Sequence, residues 1–335
     1  MAVLAIDPAA RTTRALWRGA VTADGSSAGR FVFSGDGSSA VSVHETYETA
    51  PRIVAGRLPT LLPVTRDNAG FAAQVASRSL TWTNEGMRSQ GWLIGPKKPQ
   101  AGRKHPMIVL VHGGPASAAT PRFVAPGDFG NPLVRELVER GYYVFQPNPR
   151  GSFGQGLAFT QANRRDFGGG DWRDILEGVD AVIKEAPVDG ERLGLMGHSY
   201  GGFMTMWGVT HSKRFKAAVA GAGIANWISY YGQNGIDQWM VPFFGAAMYD
   251  DPAVYRAASP IESIRNATTP TLMYVGERDV ETPAAQSMEF WHGLRAIGTP
   301  TALVIYDGEG HAIRKPEHQL DQRKRTIEWF EKYLK

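Results

Sequence analysis

The sequence predicts an α/β fold: a mostly parallel central sheet with helices on both faces, preceded by a small β-rich N-terminal region. Three observations predict it. From about Ser79 onward, short and wholly apolar runs recur, as they do in strands buried on both faces. Amphipathic helical patterns lie between several of these runs, and such alternation implies a parallel sheet covered on both sides. The residues before Ser79 are β-rich and turn-rich, with no convincing helix.

Taken in order, Val3-Leu4-Ala5-Ile6 is a short strand. Phe31-Val32-Phe33-Ser34 and Ala40-Val41-Ser42-Val43 flank Gly35-Asp36-Gly37-Ser38, which reads as a hairpin turn. Pro51-Arg52-Ile53-Val54 begins another strand. The buried strands that follow are Trp92-Leu93-Ile94, Met107 to Val111, Tyr142 to Phe145, Leu193 to Met196, Ala217 to Ala220, Thr271 to Val275 and Ala302 to Tyr306. Leu133 to Arg140 is a helix ending at Gly141, a favoured C-cap residue. Ile175 to Ile183 is a second helix, with Gly168-Gly169-Gly170 as a turn before it. The expected division is a β-rich region at 1–80 and a larger α/β domain at 81–335.

Composition excludes several classes. Of the 335 residues, 43% are hydrophobic, which is ordinary for a globular protein. The net charge of +4 is small for this length and the basic residues are scattered, which argues against nucleic acid as a main partner. Arg323-Lys324-Arg325 lies among Leu320, Ile327, Phe330 and Leu334 at helical spacing, as the solvated face of a terminal helix. The absence of cysteine excludes disulfides, thiolate catalysis and cysteine-ligated metals. The histidines show no HExxH spacing, and Gly151 to Gly156 lacks the strand–GxGxxG–helix context of a phosphate loop. No metal and no cofactor are therefore expected. No apolar run approaches the roughly 20 residues that span a bilayer. No basic stretch leads into an apolar segment at the start. The expectation is a cytoplasmic protein with no membrane partner.

The chemistry is concentrated in Leu193-Gly194-Leu195-Met196-Gly197-His198-Ser199-Tyr200-Gly201-Gly202. A short apolar strand runs into a Gly-x-Ser-x-Gly turn, and Phe203 to Val209 follow at helical spacing. This is the nucleophile elbow of the α/β-hydrolase fold, which lifts Ser199 to the apex of a tight turn. Gly197 and Gly201 stand where a Cβ would clash. In that fold an acid and then a histidine follow the serine in sequence. Asp279 lies just past the Thr271–Val275 strand, on the end of the sheet that carries sites. His311 follows the last strand in the loop Asp307-Gly308-Glu309-Gly310-His311, whose glycines suggest mobility. Asp307 also follows a strand but is only four residues before His311. The expected roles are Ser199 as nucleophile, His311 as base and Asp279 as its orienting acid. The oxyanion donors expected are the N–H of Tyr200 and an N–H of the loop Val111-His112-Gly113-Gly114-Pro115.

These residues together resemble the prolyl oligopeptidase family of serine peptidases, within it the acylaminoacyl-peptidase-like branch. The matching stretches are His112-Gly113-Gly114-Pro115, Asn148-Pro149-Arg150-Gly151-Ser152, Gly197 to Gly202, Arg214-Phe215-Lys216-Ala217, Ser259-Pro260, Asp279 with Thr282-Pro283, and Gly310-His311. They run through nearly all of residues 85–335. The resemblance implies a hydrolase acting on amide or ester bonds through an acyl-enzyme. It also implies Tyr200 and Gly114 as oxyanion donors, with Gly113 as the fallback, and a loop-shaping role for His112. Relatives often carry an arginine two residues after the acid, where it binds a substrate carbonyl. Glu281 stands there instead. It cannot donate that bond; it either holds a substrate ammonium group or is simply solvated.

The family places a β-propeller before the hydrolase domain as a size filter. Residues 31–66 resemble its last blade, and one or two blades are too few to close a ring of about four to eight. Unpaired strand edges in such a remnant favour association with another chain, so a homo-oligomer, dimer or higher, is expected. Trp227, Tyr230, Tyr231, Trp239, Phe243 and Phe244 either line an apolar substrate pocket or pack around the sheet. The substrate expected is a short peptide, an acyl or aminoacyl derivative, or a small ester. A carboxylesterase with little peptidase activity is the alternative, and a non-catalytic binding module the remote one.

Overall fold

In the computed structural model, which describes residues 1–23, 29–127 and 130–334, contacts divide the chain into two units. The first comprises Met1–Arg78, Ile94–Pro99 and Ala119–Arg140. In it β1 (Ala2–Asp7) and β2 (Thr12–Arg18) pair antiparallel as a sheet of their own. A second sheet holds β3 (Thr22–Ala23), β4 (Val32–Phe33), β5 (Ser39–Glu45), β6 (Arg52–Arg57) and β7 (Leu62–Pro63), with β5 at its centre. The expected hairpin is β4–β5: Ser34 N–H donates to the Ser39 carbonyl, and Asp36 accepts from the hydroxyls of Ser34 and Ser38. Along β5 the alternate residues Ala40, Ser42 and His44 are buried, the period-two pattern of a strand with one covered face.

The segment after residue 118 joins this unit for a local reason. Phe123 and Ala125 cluster with Ala50. Phe123 N–H donates to Glu45 Oε2 at 2.8 Å, and Val124 N–H to the Tyr47 carbonyl at 3.1 Å. Helix α1 (Pro132–Glu139) closes the segment. Pro at its first turn needs no N–H partner, and Gly141, at φ 86°, takes the left-handed position after its end.

The second unit is Ser79–Leu93, Gln100–Ala118 and Gly141–Lys335. Its eight-stranded sheet contains β8 (Ala76–Asn84), β9 (Met87–Gly95), β10 (His105–Val111), β11 (Tyr143–Asn148), β12 (Val188–His198), β13 (Phe215–Gly221), β14 (Thr271–Gly276) and β15 (Thr301–Tyr306). The strand order is β15-β14-β13-β12-β10-β11-β9-β8. The six strands from β11 to β15 in that row pair in parallel. β8 and β9 are joined by Glu85-Gly86, both at positive φ (49° and 77°), as a two-residue hairpin turn requires.

Helices α2 (Leu157–Thr160), α3 (Gly170–Glu185), α4 (Tyr200–His211), α5 (Trp227–Tyr231), α6 (Met240–Phe244), α7 (Pro252–Ala257), α8 (Ala284–Ala296) and α9 (Pro316–Leu334) surround this sheet. The two faces of β12 show why both are covered. Leu193 and Leu195 point into one core with Ile175, Val179 and Val182 of α3 and Phe203 of α4. Gly194 points the other way, where a Cβ would come within 3.0 Å of Phe330 and Leu334 of α9. Among the described residues, no helix is long and apolar enough to cross a membrane.

Candidate active site

β12 ends at His198 and α4 begins at Tyr200, so Ser199 alone makes the turn. Its backbone is at φ 61°, ψ −122°, a strained conformation for a residue with a Cβ. The turn is held by close packing. Ser199 N–H donates to the Gly221 carbonyl at 3.0 Å. A Cβ on Gly201 would lie 2.1 Å from the Val111 carbonyl oxygen, and one on Gly197 would lie 2.5 Å from the Gly201 carbonyl carbon. The elbow thus presses against the loop leaving β10. Tyr200, at the first position of α4, has no intrahelical acceptor for its N–H.

Asp279 and His311 come from the loops after β14 and β15, which pair in parallel up to Gly276 and Tyr306. The loops continue that contact: Glu277 N–H donates to the Tyr306 carbonyl and Arg278 N–H to the Glu309 carbonyl. His311 Nδ1 lies 2.8 Å from Asp279 Oδ2. The carboxylate is buried and well satisfied. Its Oδ1 accepts from the N–H groups of Glu281 (2.9 Å) and Thr282 (2.8 Å), and Thr282 Oγ1 donates to Oδ2 at 3.0 Å. Burial pushes the Asp279 pKa up, but the bonds from His311 and Thr282 outweigh it and hold it below the ordinary value. Burial alone would lower the His311 pKa. The hydrogen bond and charge of Asp279, with Glu281 beyond, raise it instead.

The loop carrying His311, expected to be mobile, has its own fastener. The buried Glu309 carboxylate accepts from the N–H groups of Arg314 (2.9 Å) and Lys315 (2.8 Å) and meets His318 Nδ1 at 2.9 Å. Asp307 is exposed.

Ser199, Tyr200 and His311 line one cavity of about 490 Å³ together with Gly113, Gly114, Trp227, Tyr230, Phe243 and Glu281. Glu281 Oε2 stands 3.7 Å from His311 Nε2. Ile224, Ile236 and Trp239 complete the apolar wall, and Thr282 and Pro115 the rim. Phe167 backs this wall, its ring within 5.7 Å of those of Trp227 and Phe243. Sequence reasoning passed over Thr282 as a functional side chain, although Asp279-x-x-Thr282 is the spacing of a side chain capping the backbone ahead of it.

Tyr231, a candidate pocket residue, and His112, beside the oxyanion loop, are placed elsewhere. Tyr231 does not line the cavity; one step round α5 from Tyr230, it packs edge-on against Tyr249 and Tyr255. His112 does not line it either. Its Nδ1 meets the Gly113 carbonyl at 2.7 Å and its Nε2 meets Ser152 Oγ at 2.9 Å, which ties the β10 loop to the loop after β11. Burial pushes its pKa down. Phe244, deeply buried, stacks on Tyr255. The β11 loop is held by Arg150, whose Nε and Nη2 fork onto Asp174 at 2.9 and 2.8 Å while Nη1 meets Glu85 at 2.9 Å. Among the described residues, no group of three or more His, Asp or Glu side chains is placed to hold a metal ion.

Comparison with known proteins gives consistent matches. The family model described as the prolyl oligopeptidase family matches residues 132–335. An uncharacterised peptidase, YuxL, of Bacillus subtilis is 35% identical over 260 residues, covering 75% of this chain and 38% of the relative. A dipeptidyl-peptidase 5 of Porphyromonas gingivalis is 31% identical, covering 76% of this chain and 37% of the relative. Among solved structures, the Pyrococcus horikoshii acylaminoacyl peptidase superposes with a TM-score of 0.83 at 26% identity, over 96% of this chain and 51% of that one. The chain thus spans about two fifths of the length of these curated relatives and about half of the solved one.

Proposed function

The chain belongs to the prolyl oligopeptidase family, and from that premise we propose that it is a serine hydrolase that cleaves amide or ester bonds of short peptides or acyl and aminoacyl derivatives. One observation carries the reading. The Asp279–His311 hydrogen bond of 2.8 Å orients an imidazole that lines the same cavity as the strained Ser199.

In the proposed mechanism, His311 Nε2 takes the Ser199 hydroxyl proton as Oγ attacks the substrate carbonyl carbon. Asp279 fixes the tautomer and stabilises the imidazolium. The oxyanion is received by the N–H of Tyr200 and that of Gly114, with Gly113 as the fallback. His311 then returns its proton to the leaving amine or alcohol. Water, deprotonated by His311, hydrolyses the acyl-enzyme. The wall of Ile224, Trp227, Tyr230, Ile236, Trp239 and Phe243 favours an apolar acyl side chain.

The relatives' names, an acylaminoacyl peptidase and a dipeptidyl-peptidase, support short peptides as the substrate class. The reading extends to esters, since the same acyl-enzyme serves both, and to self-association through the first unit. It extends also to a cytoplasmic location. The test is a panel of aminoacyl anilides and p-nitrophenyl esters on the purified protein beside Ser199→Ala, with fluorophosphonate labelling as a second readout. Turnover and labelling of the wild type, both lost in a folded Ser199→Ala, are expected. Undiminished labelling of the variant overturns the assignment.

A further inference from the structure

We infer that Glu281 selects substrates with a free α-ammonium group on the residue whose carbonyl Ser199 attacks, and disfavours N-acylated ones. The inference rests on the reading above and deepens it.

Among the described residues, Glu281 contributes the only carboxylate lining the cavity, and no lysine or arginine lines it. Its backbone is pinned on both sides. Its N–H donates to Asp279 Oδ1 at 2.9 Å, and its carbonyl accepts from the Tyr230 hydroxyl at 2.8 Å. The backbone is therefore fixed beside the catalytic loop, and the side chain extends from it to place Oε2 3.7 Å from His311 Nε2. It is also accessible, with a side-chain exposure of 46%.

Position and chemistry together limit what it can bind. His311 Nε2 is the atom that must exchange a proton with Ser199 Oγ, so a carboxylate beside it lies beside the reacting carbonyl. The α-nitrogen of the acyl residue is two bonds from that carbon, roughly 2.5 Å away by standard bond lengths and angles. The ammonium one residue further out would lie about another 3.5 Å away. A carboxylate accepts hydrogen bonds and cannot donate. It can pair with an α-ammonium, which has three donors. An N-acylated nitrogen keeps one N–H but loses the positive charge and two donors, and it brings a carbonyl oxygen that the carboxylate repels. Among the described lining residues no other anionic side chain competes for a cation.

The test uses the whole protein and does not depend on turnover. A fluorophosphonate labels Ser199 while L-phenylalaninamide or N-acetyl-L-phenylalaninamide is titrated in as a protecting ligand. In the wild type the free amine should protect at about fivefold lower concentration, the upper range for a partly exposed ion pair. In Glu281→Gln that ratio should fall to about one, and in Glu281→Arg it should invert. Circular dichroism on each variant checks the fold. Equal or better protection by the acetylated amide in the wild type overturns the inference, as does a preference that survives Glu281→Gln. Absence of labelling in the wild type overturns instead the serine-hydrolase reading beneath it.

Discussion

The Tyr200 hydroxyl donates to Asp171 Oδ2 at 2.5 Å, in a site where both side chains are buried. Tyr200 lines the cavity beside Ser199 and begins α4, so Asp171 anchors the first turn of that helix. Its other oxygen accepts from Trp172 N–H at 2.8 Å. Burial nevertheless dominates and lifts its pKa to about 7. Between the ordinary value of 3.8 and about 7, the folded state holds a proton that the unfolded state has lost. Stability must then fall as pH rises through that window. Asp171→Asn cannot ionise, so its melting temperature should decline less steeply over the same range. Parallel melting curves for the two proteins would show that Asp171 does not titrate there.

Asp279, not Asp307, should be the acid that matters to turnover. Asp279 is buried against His311 Nδ1, whereas Asp307 is exposed and offers only its carbonyl, to Lys315 Nζ. Asp279→Asn should lower kcat by about 10⁴, the scale of the same change in a serine protease triad. Asp307→Asn should leave kcat nearly unchanged, since Asp307 is exposed and is not among the residues lining the cavity. Steady-state kinetics on one ester substrate decide it, and the reverse order would reassign the acid.

The acid limb of kcat/KM reports His311 in the free enzyme. In the proposed mechanism its neutral form is the base, and Asp279 and Glu281 both favour the charged form. Activity should therefore rise with pH through a midpoint above the ordinary histidine value of 6.5. Glu281→Gln removes one of the two charges and should move that midpoint to lower pH. A pH–rate profile with an uncharged ester substrate separates this from any change in substrate binding. An unmoved midpoint would mean that the 3.7 Å contact is too well solvated to matter.

What could be read from the sequence was local. The Gly-x-Ser-x-Gly turn between an apolar strand and a helix needs only ten consecutive residues, and Asp279 and His311 each follow an obvious buried strand. What escaped was set by distance along the chain or by a single step round a helix. The Arg150–Asp174–Glu85 network joins residues 24 and 65 apart. Nothing local to Phe123 announces that its N–H will reach Glu45, 78 residues away. Tyr230 and Tyr231 are indistinguishable by type, and about 100° of helical rotation decides which one meets the cavity. Glu309 looked like part of a flexible linker, because the partners that make it a fastener follow it.

The first unit should carry the contacts of a homo-oligomer. β1 and β2 form a two-stranded sheet covered on one face, where Trp17 packs against Phe31 and His44, and open on the other. Its Leu4 and Ile6, two residues apart and so on one face, are 49% and 69% exposed. Val32, Leu62 and Val64 in the same unit are also exposed. Exposed apolar side chains and open strand edges are what association covers. Light scattering at micromolar concentration should give a mass that is a multiple of 36.5 kDa. The double variant Ile6→Lys with Val32→Lys places charge on these surfaces of the first unit. It should lower the measured mass while fluorophosphonate labelling of Ser199 persists. A wild type that scatters as a monomer would reject the proposal, and an oligomer indifferent to both lysines would move the interface away from these strands.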